Sequence, residues 1–407
     1  MTSNQNNPTW TYCPLQVNSV SINDDGTKCV FGTSFERGTG YFGTYIMDND
    51  GNQILKKETS STETTQGVFW VDISGDGLYC ATGGEFSQSQ GFLQAYLTET
   101  GGELLNITTD SRINQVSLSK DGQYLAACFG STLNVYHYNS TSIKYELIAT
   151  ESLSPYNINS CVISRDGSTV IASGIEYSDD SDKDEASTSD TTTGKVFSFS
   201  ISANQVTTLG SCALTTGSMR VAVTDNGLFW VASLHDGGCL LIDQDDPSSV
   251  VWYYKPNILN LSLAYAVDIT LTESNNLLVA CGANLDNSPD GGLLYLVETV
   301  GFLIPKCPEQ QLLPLLKWSK TITYGVNPGV SMDLNATYVT ATDGKPDGQT
   351  VKESAGSFYL FSGATGDLVW KYDTTMMNWP MKLARDGKSV FAGSDDGNVY
   401  YWDLGSS

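Results

Sequence analysis

The sequence predicts an all-β fold: an eight-bladed β-propeller of four-stranded antiparallel blades, with the ring closed by the N-terminal strand. Three observations predict it. An alternating apolar segment ending in a tight turn recurs eight times in 407 residues, about 51 residues apart. Three further short runs follow each copy. The chain also begins with a run that its last unit lacks. A fixed period of this size is the mark of a repeat architecture. Four period-two strands joined by hairpin turns make one propeller blade.

The first strands, with their turns, read VNSVSINDDG (17–26), VFWVDISGDG (68–77), RINQVSLSKDG (112–122) and NINSCVISRDG (157–167). They continue as GSMRVAVTDNG (217–227), AYAVDITLTES (264–274), NPGVSMDLNAT (327–337) and NWPMKLARDG (378–387). Asp-Gly is a preferred hairpin connector because Gly takes the left-handed backbone at no steric cost. The sixth and seventh copies lack that Gly. Second strands are short apolar runs ending in small residues, such as YLAACFG and LLVACGA. Third strands alternate again, as in KVFSFSI and GNVYYWD. Fourth strands often carry a Trp: VVWYYKP, LKWSKTI, LVWKYDT. The last unit stops after its third strand, and residues 8–14 (PTWTYCP) look like a fourth. Trp10 matches Trp252, Trp318 and Trp370, so residues 8–14 are expected to complete the last blade and remove two open sheet edges. A seven-bladed ring with one displaced unit is the alternative. Residues 1–407 are read as one propeller domain with an acidic insertion at 176–194.

These motifs resemble the WD40-like and quinoprotein-like propeller families. SGATGDLVW (362–370) is similar to the tryptophan-docking repeat of quinoprotein propellers, in which an Ala and a Thr-Gly precede a Trp that packs on the neighbouring blade. Blades one and two keep the turn glycines Gly51 and Gly101 but lack the Trp. Trp402-Asp403 is the single WD dipeptide. The resemblance covers the whole length as a periodic pattern and implies the propeller fold. Quinoprotein dehydrogenases place two adjacent cysteines beside their cofactor; this chain has no Cys-Cys, which speaks against quinone-dependent oxidation.

Composition narrows the chemistry. The net charge is −24 with a pI near 4.2. Such a chain repels phosphate backbones, and no basic patch offsets this, so nucleic-acid binding is not expected. No stretch approaches eighteen apolar residues, so no membrane span is expected. The N-terminus MTSNQNNPTW shows no signal peptide, and a cytoplasmic location is expected. The nine cysteines include no CxxC and sit mostly in apolar runs, so they read as small buried hydrophobes rather than disulfides or metal ligands. The two histidines, His137 and His235, are far apart and do not suggest a metal site. No hydrolase elbow, zinc helix or phosphate loop occurs. No cofactor is expected. Calcium at MDNDGN (47–52) or DNSPDGG (286–292) is a side reading, since both lie where turn carboxylates are expected anyway. The segment 176–194 carries seven carboxylates and one lysine. It reads as a solvated loop, or as a docking arm for a basic partner or a divalent cation.

In this fold the second-to-third-strand loops share one face with the approaches to the first strands. The longest are 34–43, 84–91, the acidic insertion, 283–292 and 342–357. Long loops on a rigid scaffold commonly carry binding. First-strand residues that reach the channel include Trp70, Gln115, Arg220, Tyr265, Asn327 and Trp379. Deeper in the same column stand Asp72, Asp268 and Lys382, with Asp72 and Asp268 in facing blades two and six. Each Asp either bonds a neighbouring backbone turn or serves a ligand. Arg220 and the aromatics suit a binding hot spot by residue type. No catalytic or metal-ligating residue is assigned. The segment 300–318 interrupts a turn of blade six and either covers the domain's own surface or forms a partner groove.

The functional expectation is a non-catalytic scaffold, expected to be monomeric, that binds a protein or peptide partner through the loop face. The alternative is a propeller enzyme, or a ligand- or glycan-binding protein, with its site at the mouth of the central channel.

Overall fold

The computed structural model describes residues 6–13, 16–34, 41–60, 67–87, 90–176, 193–285, 291–301, 311–345 and 355–405. The described residues form eight four-stranded antiparallel sheets and no helix, so the seven-bladed alternative falls. Blades 1 to 7 span residues 17–60, 67–109, 113–152, 157–214, 218–254, 261–322 and 326–374. Blade 8 takes its three inner strands from 378–403 and its fourth from Trp10–Tyr12, which pairs Trp10 with Tyr401 and Tyr12 with Val399. The N-terminal strand therefore closes the ring, as the repeat arithmetic requires. Most of the acidic insertion (177–192) and most or parts of the long loops, including 35–40, 88–89, 286–290, 302–310 and 346–354, lie outside the described residues.

One apolar cluster fills each blade junction. Val30 and Ile46 of blade 1 pack with Val71 and Phe92 of blade 2. Phe31 and Tyr45 of blade 1 meet Phe391 and Tyr401 of blade 8. Blades share no sheet ladder, so burial between their faces, with hydrogen bonds across the junctions, holds neighbours together. Seven of the eight described cysteines are buried free thiols in these layers, and Cys13 is an exposed one; Cys307 is outside the described residues.

The fourth strands dock in a repeated way. Trp10 lies over Gly51 of blade 1 and donates its indole N–H to the Asn49 carbonyl at 2.9 Å. Trp318 lies over Gly366 of blade 7 and donates to the Gly363 carbonyl at 2.9 Å. Trp252 bonds Thr299 of blade 6, and Trp370 stacks on Trp402 of blade 8 at 4.9 Å. In blade 1 a leucine, Leu55, fills this role over Gly101 of blade 2.

The first-to-second-strand turns all lie on one face, called here the turn face. In the Ser-x-Asp-Gly copies the Asp carboxylate accepts from the Ser hydroxyl and from a backbone N–H beyond the Gly, as Asp76, Asp121 and Asp166 do. The Gly takes a positive φ, 71° at Gly77. Where the Gly is missing, Asn275 and Ala336 occupy the same backbone region, at φ 63° and 49°. The turn therefore survives the loss of its usual residue.

Candidate functional site: the channel and its two mouths

The first strands of the eight blades line the central channel. Each carries a break in register near its loop-face end, for example between Val68 and Trp70, Ile113 and Gln115, Ile158 and Ser160, and Ser218 and Val221. The same irregularity occurs in blades 1, 6, 7 and 8. A bulge adds a residue to one strand and re-aims its side chain. Repeated around the ring, it turns a column of side chains toward the axis at the loop-face mouth.

Three sequence-predicted residues come together there. The Arg220 guanidinium of blade 5 lies 4.8 Å from the centre of the Trp70 ring of blade 2. Tyr265 of blade 6 is close enough to act electrostatically on Arg220. Arg112 of blade 3 lies 4.3 Å from the Phe69 ring. Trp379 stands apart on blade 8, its indole N–H donating to Asp395 Oδ1 at 2.6 Å. Asn327 holds its place in the first strand of blade 7, paired with Thr342. The sequence reading missed Phe69 and Arg112. The bulge displaces Phe69 from the alternation that ranked candidates, and Arg112 precedes the strand.

Gln115 is buried, and its Oε1 accepts from Ser160 of blade 4 at 2.8 Å. It ties two blades together and is not presented at the mouth. Asp72 and Asp268 repeat one geometry. Asp72 accepts the N–H groups of Ile73 (3.0 Å) and of Leu118 in blade 3 (2.8 Å) and the Ser21 hydroxyl (2.9 Å). Asp268 accepts the N–H groups of Ile269 (2.9 Å) and of Met332 in blade 7 (2.7 Å). The backbone-bonding role weighed for these carboxylates is thus what the geometry shows. Serines make the corresponding clips elsewhere: Ser19 accepts from Val71, Ser117 from Ile163, Ser160 from Val221 and Ser331 from Leu383. Burial raises the pKa of Asp72 and of Asp268 above the ordinary carboxylate value; their hydrogen bonds and the Lys382 charge oppose the rise. Lys382 acts on both Asp residues, although they sit in facing blades.

The turn-face mouth carries a second cluster that the sequence reading did not find. The residue before each Asp-Gly pair is left free by the turn and faces the axis: Asp24, Gly75, Lys120, Arg165 and Arg385, with Asp225 in the same place in the Asp-Asn-Gly copy. Arg165 of blade 4 pairs with Asp24 of blade 1, and its Nε lies 3.8 Å from Asp225. Arg385 of blade 8 lies 2.8 Å from Asp225 of blade 5, and Lys120 lies 3.9 Å from Asp24. These pairs cross the ring around a depression of about 360 Å³ that Leu334 also lines. Gly75 belongs to the same column: a methyl there would fall 2.4 Å from Arg165 Nη2 and 2.7 Å from Asp24 Oδ2. The signal was in the eight aligned turns, read down the column rather than along the chain.

The described residues contain no group of three or more His, Cys, Asp or Glu arranged to hold an ion. Asp48, in the first of the two calcium candidates, accepts from the N–H groups of Asp50 and Asn52 and from the Asn52 amide, so it caps its own turn. The second candidate lies largely outside the described residues. No helix among them is long and apolar enough to cross a membrane.

No family model and no curated protein matches the chain in sequence. Solved structures match it in fold. Sqt1 of Chaetomium thermophilum superposes with a TM-score of 0.66 at 11% identity, covering 99% of each chain. Sqt1 of Saccharomyces cerevisiae gives 0.64 at 11%, covering 100% of each. The Cps50 (Swd1) β-propeller domain of Myceliophteria thermophila gives 0.55 at 14%, covering 82% of this chain and 96% of that one. A further structure, similar at 0.64 and 12% identity, is C. thermophilum Sqt1 bound to the N-terminus of the ribosomal protein L10; the match covers 98% of this chain and 100% of that one. At these identities the likeness carries the β-propeller fold and nothing finer.

Proposed function

We propose that this propeller is a non-catalytic scaffold that binds a protein or peptide segment at the loop-face mouth, over Trp70, Arg220 and Tyr265, with Trp379 at the rim. The observation that carries the proposal is the repeated bulge. It aims an Arg and aromatic cluster at the axis from strands whose positions the ring holds rigidly. Arg, Trp and Tyr are the residue types that dominate binding hot spots. A propeller of the same fold holding a protein N-terminus supports the reading by analogy.

The enzyme reading receives less support. It needed Asp72 and Asp268 as working groups, and both carboxylates accept backbone N–H groups that clip adjacent blades.

The test is affinity capture from the native source with wild type, the Arg220→Ala/Trp379→Ala variant, and Arg165→Ala as a turn-face control. Melting temperature is followed in parallel. The proposal expects a protein captured by wild type and by Arg165→Ala but lost from the still-folded double variant. Capture unchanged in the double variant, or lost only in the turn-face variant, would contradict it.

A further inference from the structure

The five arginines of this acidic chain are unevenly placed. Arg165 and Arg385 stand at the turn-face mouth with carboxylate partners. Arg112 and Arg220 stand at the loop-face mouth, and Arg37 lies outside the described residues.

Arg220 has no carboxylate partner among the described residues. Its Nη1 donates to the carbonyl oxygens of Asn159 (2.9 Å) and Met219 (3.3 Å). Its Nε is buried with no hydrogen-bond partner. One face of the guanidinium lies over the Trp70 ring. The groups that act on it most are Tyr265, Arg112 and the thiols of Cys128 and Cys161. Burial lowers its basicity, and the nearby Arg112 charge pushes the same way. A guanidinium partly withdrawn from water near a like charge is costly unless an anion compensates it. Asp72 and Asp268 do not compensate it, since their oxygens serve backbone N–H groups.

With Nη1 occupied and Nε buried, Nη2 is the guanidinium nitrogen left to meet an outside acceptor. A charged N–H donor of this kind makes its strongest hydrogen bond to a carboxylate oxygen. We propose that the loop-face mouth holds a carboxylate receptor, in which Nη2 of Arg220 takes an Asp, Glu or C-terminal carboxylate of the bound protein segment beside the Trp70 ring. This rests on the loop-face reading and adds the partner's chemistry to it. The whole-molecule field works the other way: a chain of net charge −24 should repel acidic peptides and attract basic ones. An acidic preference at this mouth must therefore come from the site.

Fluorescence anisotropy with three labelled hexapeptides at physiological ionic strength tests it. One alternates Glu with Phe, the second has Gln for Glu, and the third has Lys for Glu. The proteins are wild type, Arg220→Gln, Arg220→Lys and Arg165→Gln, each checked for its melting temperature. Wild type and Arg165→Gln should bind the Glu peptide about tenfold or more tighter than the Gln peptide, the scale expected of a desolvated charge pair. Arg220→Gln should lose that preference, and Arg220→Lys should keep part of it. Equal affinity for the Glu and Gln peptides, tighter binding of the Lys peptide, no binding of the Glu peptide, or a preference that survives Arg220→Gln would each overturn the carboxylate receptor. The capture experiment above decides the loop-face reading separately. A partner lost from Arg220→Ala/Trp379→Ala, alongside peptides that show no acidic preference, would retain the binding face and discard the carboxylate.

Discussion

His235 shows how one side chain sets a pH response. It sits in the second-to-third-strand turn of blade 5, where its Nε2 is buried without a hydrogen-bond partner. Burial lowers its basicity below the ordinary 6.5, and Asp236 only partly offsets this. Above pH 6.5 the ring is neutral in both folded and unfolded chains. As pH falls below that value, the unfolded chain takes the proton first and draws the equilibrium toward unfolding. We therefore expect wild type to lose more stability between pH 7.5 and 5.5 than His235→Gln does, by urea unfolding at the two pH values. Parallel losses would show that His235 is not the responsible group. Ile143 is a second local case. It is 54% exposed and holds φ at 53°, a backbone region that costs a β-branched residue about 1–2 kcal/mol. Ile143→Asn, which tolerates that region, should raise stability by about 1 kcal/mol in the same assay.

The first strand is the element on which fold and site meet. Its loop-face end bulges toward the axis, and its middle clips the next blade through a Ser or Asp side chain. Asp72 is one such clip. Asp72→Ala would leave the Leu118 N–H and the Ser21 hydroxyl without their acceptor, a loss of about 1–3 kcal/mol. Asp72→Asn keeps an acceptor oxygen and has no charge to desolvate, so its cost should be much smaller. Equal losses in urea unfolding would refute the clip. Much of this element was legible in the sequence. Period-two alternation marked which residues reach the channel, and the turn chemistry marked where each strand ends. The bulges were not legible, because no residue type announces them; alternation slips by one at Phe69 and hides it. What Gln115 bonds was not legible, since its partner Ser160 lies in another repeat. The turn-face ion pairs stayed hidden for the same reason: Arg165 and Asp24 are 141 residues apart and meet only because the ring closes.

Across the whole molecule the chain folds back on its own start. The N-terminal strand supplies the fourth strand of blade 8, and Trp10 stacks on Tyr401 at 5.1 Å while its indole N–H reaches blade 1. Deleting residues 1–14 opens one sheet edge and uncovers the junction between blades 8 and 1. It should lower the melting temperature of the whole ring, in one transition. An unchanged melting curve would contradict closure by strand sharing. The period and the fourth-strand tryptophans were enough to infer eight blades and this closure from sequence. The function was less legible, because the proposed binding mouth is assembled from one or two residues of several repeats and no local motif carries it.

Binding is proposed at the loop-face mouth. Hydrogen exchange of the chain alone and with its captured partner tests that most directly. Slowed exchange should appear at the loop-face ends of the first strands, around residues 69–70, 112–115, 219–220 and 265. The turns around 24, 120, 165, 225 and 385 should be unaffected. Protection confined to those turns, or to the outer strands, would place the partner elsewhere and contradict the account.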